Sequence, residues 1–197
     1  MKSRTRNAIY AAVITSCGLA GILIWREASL YLDIDHARGL CLGVIPNYSI
    51  DSPDPKLFSD WEKDSYPASG AFSSSTEFFR NLVIKGRIQP FFEIYSAPGI
   101  PACDGNDPSM FRPENNAWCV TTDLNPLNLP QCPYMFTRNL DITSISDARA
   151  DRLRDIPPYG RRGVLVIMTD CSAKFIPAKQ IESEFNPLGL TNAVLRP

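Results

Sequence analysis

The sequence predicts an α+β fold: a long N-terminal membrane-spanning helix, then a globular domain in which helix packs on antiparallel sheet. Three observations carry that expectation. Residues Ala8–Trp25 form an uncharged run of 18 residues behind Lys2, Arg4 and Arg6. In the remaining chain helical patterns come first and β-rich segments later, which is the order of an α+β domain rather than of alternating βαβ units. Seventeen prolines against eleven glycines indicate a loop-rich domain with rigid corners.

At about 1.5 Å of rise per residue the apolar run reaches roughly 27 Å as a helix, close to the hydrocarbon thickness of a bilayer. In lipid a helix satisfies its own backbone groups. The basic residues precede the run, while Arg26 and Glu27 cancel behind it. The positive-inside bias then holds the N-terminus in the cytoplasm and exports the rest. The expected organisation is a basic cytoplasmic segment 1–7, a transmembrane helix 8–25, a helical stalk 26–45 and an exported α+β domain 46–197. Such a chain sits in the inner (cytoplasmic) membrane as a single-pass protein with an extracytoplasmic C-terminal domain. Ala11, Ala12, Ser16, Gly18, Ala20 and Gly21 are the candidates for helix packing within the bilayer.

Other readings of the run compete. Ile14-Thr15-Ser16-Cys17 resembles a lipobox and makes Cys17 a candidate for lipidation, although Gly18–Trp25 stays apolar where a lipidated chain turns polar. A cleaved secretory signal has a shorter apolar centre and a small-x-small exit. A buried helix of a soluble protein does not explain the basic flank.

Beyond the run, Leu30, Leu32, Ile34, Ala37, Leu40 and Cys41 keep a loosely helical spacing, with Asp33, Asp35, His36 and Arg38 on the other side. One rod from about Asn7 to Leu42 is expected. Residues 46–70 are turn-rich and read as a surface connection, with a short helical turn over 56–64. SSSTEFFRNLVIKGRI reads as a capped helix: a hydroxyl between Ser73 and Thr76 caps it, Phe78, Phe79, Leu82 and Val83 form its apolar face, and Gly86 ends it.

Pro90–Ser96, Ala117–Asp123, Pro133–Arg138 and Gly163–Met168 read as strands, and Ala173–Ile176 returns beside the last across Asp170-Cys171-Ser172. Gly99–Asn116 is a long loop. Residues 146–154 read as a short helix, and Pro177–Phe185 as a helical segment with Ile181 and Phe185 on one face. The tail after Phe185 reads as loop. Trp61, Tyr66, Phe72, Phe78, Phe79, Phe91 and Phe92 are the expected aromatic core.

As chemistry the chain is quiet. Its net charge is −1, which offers no electrostatic case for nucleic acid. The single histidine, His36, lies on the polar side of the stalk. Neither a nucleophile triad nor paired metal ligands nor a glycine-rich phosphate loop is present in the sequence. Asp104-Gly-Asn-Asp107 lacks EF-hand spacing and reads as a polar turn. Arg161-Arg162 could grip a phosphate, but two arginines before a strand read as a solvated edge. Cys41, Cys103, Cys119, Cys132 and Cys171 allow up to two disulfides, with no pairing favoured by spacing. No enzyme activity and no cofactor are expected.

Asn116-Ala117-Trp118-Cys119-Val120-Thr121, followed by Phe136-Thr137-Arg138-Asn139-Leu140, resembles a pattern of type II secretion pseudopilins and type IV pilin-like proteins. The strand, turn, strand and closing helix of GVLVIMTDCSAKFIPAKQI is similar to the C-terminal part of that family. The chain lacks the usual prepilin peptidase motif: Gly18 is followed by Leu19-Ala20-Gly21-Ile22-Leu23, with no glutamate in the run. The resemblance implies a pilin-like fold. It also implies a membrane-anchored structural or accessory subunit of a secretion or pilus-like assembly, acting by helix packing and protein–protein contacts. Its partners would be the lipid bilayer and other membrane-anchored pilin-like or secretion-system subunits. The alternative is a lipoprotein-like or membrane-anchored extracytoplasmic binding domain.

Overall fold

A computed structural model describes residues 28–41, 44, 64–124 and 131–197 of the chain. The first element, α1, spans residues 28–41. Its buried stripe runs through Leu30, Ile34, Ala37, Leu40 and Cys41 to Val44, a spacing of three and four residues that places them on one face. Leu32, two positions out of phase, is 69% exposed. Asp33 instead lies beside the stripe, so the sequence assignment of these two residues to faces was reversed.

The second helix, α2, spans Ser75–Ile84. Ser74 caps it, its Oγ accepting from the Glu77 backbone N–H at 3.2 Å. The Glu77 carboxylate reaches back to the Ser73 N–H at 2.7 Å and its hydroxyl at 2.6 Å. One orphan donor of the first turn, the Glu77 N–H, and the N–H of the residue before the cap are thereby satisfied. Those hydrogen bonds also hold the Glu77 carboxyl below the usual carboxylate range. Phe78, Phe79 and Leu82 point into the core.

A five-stranded antiparallel sheet forms the centre. Its strands are β1 (Trp118–Thr121), β2 (Pro133–Thr137), β3 (Gly163–Met168), β4 (Ala173–Pro177) and β5 (Val194–Leu195), in the order β4-β3-β2-β1-β5. Alternation sorts β3 onto two cores. Leu165 and Ile167 face α1, α2 and the aromatic cluster of Phe79, Tyr95 and Phe111. Val164, Val166 and Met168 face Leu140, Ile145, Ile176, Ile181 and Phe185. A sheet covered on both sides needs apolar residues at every position, and GVLVIM supplies them. The register slips between Pro133 and Met135, so Tyr134 and Met135 both reach the α1 side while Phe136 returns to the other.

Gly163 opens β3 where the chains cross closely. Its φ is +157°, and an added Cβ would fall on the Ile176 carbonyl oxygen and 2.9 Å from Pro177 Cα.

Several expectations are corrected. Among the described residues the longest helix, α1, has 14 residues, and none is long and apolar enough to cross a membrane. The long membrane-spanning helix running into a stalk, and the pilin-like fold built on it, are therefore not the architecture found. That architecture is a two-sided antiparallel sheet with few helices. The apolar run Ala8–Trp25 itself lies outside the described residues, as does nearly all of the turn expected over 56–64.

Pro90–Ser96 forms a 3-10 turn, Phe92–Tyr95, rather than a strand. Phe92 and Tyr95 bury at a spacing of three while Phe91 is exposed, a helical rather than a two-residue period. Residues 146–154 hold two 3-10 turns, Ile145–Asp147 and Ala150–Arg152, in place of one helix. The tail carries β5, which pairs with β1 through Val120↔Leu195 and Thr121↔Val194.

Candidate functional site

The helix α1 crosses the sheet at its β4 end, and a cavity of about 710 Å³ lies between them. Leu30 and Ile34 supply one apolar wall and Phe175 the other. Tyr159 closes the floor. Its hydroxyl donates to Asp33 Oδ2 at 2.9 Å, and its ring meets Phe175 edge-on with centroids 5.2 Å apart. Burial, with the Asp33 charge beside it, pushes the Tyr159 hydroxyl well above its ordinary range, so it stays a donor.

Three cations stand on the rim against the one carboxylate of Asp33: Arg38, Arg162 and Lys174. The Arg162 guanidinium carbon lies 5.8 Å from the Tyr159 ring centroid, and its Nε donates to the Tyr159 carbonyl at 3.3 Å. Arg38 meets Asp35 at 3.4 Å and Lys174 meets Glu184 at 3.5 Å, all four side chains well exposed. Exposed pairs of this kind contribute at most about 1 kcal/mol, so an incoming anion can compete for both cations.

The sequence had singled out Arg161-Arg162 as a pair, but not Tyr159, Phe175 or Asp33 as site residues. An aromatic residue set between Pro157-Pro158 and Gly160 was the available signal, since turn stretches rarely carry a buried tyrosine without a packing or binding partner.

The five described cysteines are all free thiols. Cys119 lies in the second core, where burial pushes its thiol up to about 12. Burial likewise raises Cys103 and Cys132. Cys41 in α1 and Cys171 in the β3–β4 turn meet at the Met168 carbonyl, which the Cys171 N–H reaches at 3.0 Å and the Cys41 thiol at 4.0 Å. Cys17 and the proposed bilayer-packing set Ala11, Ala12, Ser16, Gly18, Ala20 and Gly21 lie outside the described residues.

The polar residues of the two motifs 116–121 and 136–140 that carried the family resemblance serve the scaffold. Asn116 Nδ2 donates to Ser75 Oγ at 3.0 Å and Thr76 Oγ1 at 3.1 Å, while its Oδ1 accepts from the Trp118 N–H at 2.9 Å. Arg138 Nη1 donates to the carbonyls of Pro113 and Asn116 at 3.0 and 3.1 Å. Asn139 Nδ2 ties the Gly160 and Gly163 carbonyls, each at 2.8 Å. These contacts join α2 to β1 and brace the turn into β3; of the segments that carried the resemblance, the β4 stretch with Lys174 and Phe175 reaches the groove.

Asp107 caps a 3-10 turn through the Ser109 N–H at 2.8 Å, and His36 is exposed. Among the described residues no cluster of three His, Cys, Asp or Glu side chains is placed to hold a metal ion. In comparisons with protein families, curated proteins and solved structures nothing matches this chain, so no pseudopilin or pilin relative is identified.

Proposed function

We propose that this domain is a binding module rather than a catalyst, and that its groove takes a small amphipathic anion. The apolar body of that ligand lies against Leu30, Ile34 and Phe175, and its carboxylate or phosphate turns toward Arg38, Arg162 and Lys174. The observation that carries the reading is the groove itself, with apolar walls and a rim of three cations against one carboxylate already held by Tyr159. Its volume falls within the roughly 300–1,000 Å³ of small-molecule sites. Among the described residues lining it there is no histidine, cysteine or glutamate, and Asp33 is engaged by Tyr159. A nucleophile beside a free base is therefore not assembled there.

Isothermal titration of the purified chain with decanoate, decyl phosphate and decanol tests this. Both anions are expected to bind one per chain and more tightly than the alcohol. Arg162→Ala is expected to weaken the anions by about tenfold and leave decanol unchanged. Equal affinity for decanol and decanoate, or no heat from either anion, overturns the reading.

A further inference from the structure

Cys41 and Cys171 lie outside the lining of the groove and belong to elements far apart in the chain. Cys41 is fully buried at the end of α1, and Cys171 is half-exposed in the turn between β3 and β4. The Met168 carbonyl receives both: the Cys171 N–H donates to it at 3.0 Å, and the Cys41 thiol approaches it at 4.0 Å. Cys171 also holds a φ of +59°, a left-handed position at which a hairpin turn usually places glycine or asparagine. A cysteine there accepts a backbone conformation that disfavours it, and its side chain is the one that reaches α1.

We propose that Cys41 and Cys171 form a reversible disulfide that staples the end of α1 to the β3–β4 turn and so fixes the two walls of the groove relative to each other. The oxidant is a low-molecular-weight disulfide such as glutathione disulfide. The Cys171 thiolate attacks one sulfur of the oxidant, forms a mixed disulfide and expels one glutathione thiolate. That thiolate takes the Cys41 proton. The Cys41 thiolate then attacks the Cys171 sulfur, forms the internal S–S bond and expels the second glutathione as a thiolate, which takes up from solvent the proton that Cys171 released on ionising. Two protein thiols are oxidised, and the two electrons and two protons leave as two molecules of reduced glutathione.

The two cysteines are poised for different parts. Donation from Cys41 to Cys171 raises the Cys41 thiol, together with its burial, and lowers that of Cys171. The half-exposed member is therefore the nucleophile and the buried one resolves the mixed disulfide. Asp170 beside the turn opposes ionisation of both, as the weaker influence.

Trypsin leaves Cys41 alone in peptide 39–56 and Cys171 alone in peptide 163–174. The full chain is equilibrated with glutathione disulfide, quenched with iodoacetamide, digested and mapped by mass spectrometry. The expected product is 39–56 joined to 163–174, lighter by two hydrogen atoms than the separate peptides, and lost again on adding dithiothreitol. Cys171→Ala, which leaves the α1 face intact, is expected to abolish it, while Cys132→Ala retains it. In the reduced chain iodoacetamide is expected to label Cys171 ahead of the other four described cysteines. Full alkylation of both Cys41 and Cys171 after oxidation of the folded chain, or linkage of either to Cys132 instead, overturns the proposal. The mapping uses no ligand, so its failure is separate from failure of the groove to bind anions.

Discussion

The Tyr159 hydroxyl donates to Asp33 across 126 residues of sequence, at 2.9 Å, and is the polar tie between α1 and the segment that leads into β3. Most of the α1 contact is apolar and non-directional, so this hydrogen bond helps set where along the sheet the helix rests. Tyr159→Phe keeps the ring against Phe175 and removes the donor. The expected cost is about 1–2 kcal/mol. Hydrogen exchange should quicken across α1 while β3 amides stay protected. Uniform acceleration in both elements would contradict a local tie.

Gly163 has no room for a side chain, because the Ile176 carbonyl and Pro177 Cα occupy the place of its Cβ. Gly163→Ala must push β4 away from β3 or abandon the left-handed φ. A loss of about 2–4 kcal/mol in denaturant unfolding is expected. Gly70, where an added Cβ meets nothing within 4 Å but φ is +77°, serves as the comparison and should cost less on substitution by alanine.

Asn116 spends both ends of its amide on buried partners: Ser75 and Thr76 on α2, and the Trp118 N–H at the start of β1. Asn116→Ala removes the acceptor of the buried Trp118 N–H and the donor to both hydroxyls, Ser75 keeping its bond to the Trp118 carbonyl, and is expected to cost about 2–3 kcal/mol in chemical denaturation. Asn116→Asp retains the acceptor for Trp118 but loses the donor to both hydroxyls. An alanine variant as stable as the parent would show that the link between α2 and β1 is dispensable.

Alkaline pH should destabilise the fold through its buried tyrosines. Burial pushes the hydroxyls of Tyr95, Tyr134 and Tyr159 upward, so the native state keeps protons that the unfolded chain releases. The stability they lend is present below the ordinary tyrosine value and is lost as pH climbs past it. Unfolding midpoints are therefore expected to fall above about pH 10. Ultraviolet difference titration of the native chain should find these three of seven tyrosines silent until the fold gives way. Titration of all seven while the far-ultraviolet signal persists would refute the burial argument.

Much of the local structure was legible because it rests on short-range chemistry. GVLVIM reads as a strand because it has apolar residues at every position, and it occupies the sheet centre with both faces covered. SSSTEFFRNLVI reads as a capped helix because Ser74 and Glu77 are three residues apart, the spacing at which a side chain reaches a free N–H. Where the local pattern was ambiguous the reading failed. PFFEIYS has the composition of a strand, but among the described residues it pairs with no strand and its aromatic residues bury by turning. Val194-Leu195 is too short to signal a strand, and its pairing with β1 exists only once the chain has folded back.

The candidate site was less legible than the fold, because its parts are far apart in sequence. Arg38, Tyr159 and Phe175 each have ordinary neighbours, and only the packing of α1 against the β4 end of the sheet brings them around one cavity. By itself the sequence determined the helix α2, four of the five strands and the surplus of cysteines, since capping, alternation and composition act over a few residues. The tertiary structure alone decided which cysteines meet and where the groove lies. Contacts between distant segments depend on the register and crossing of whole elements, and no local spacing records them.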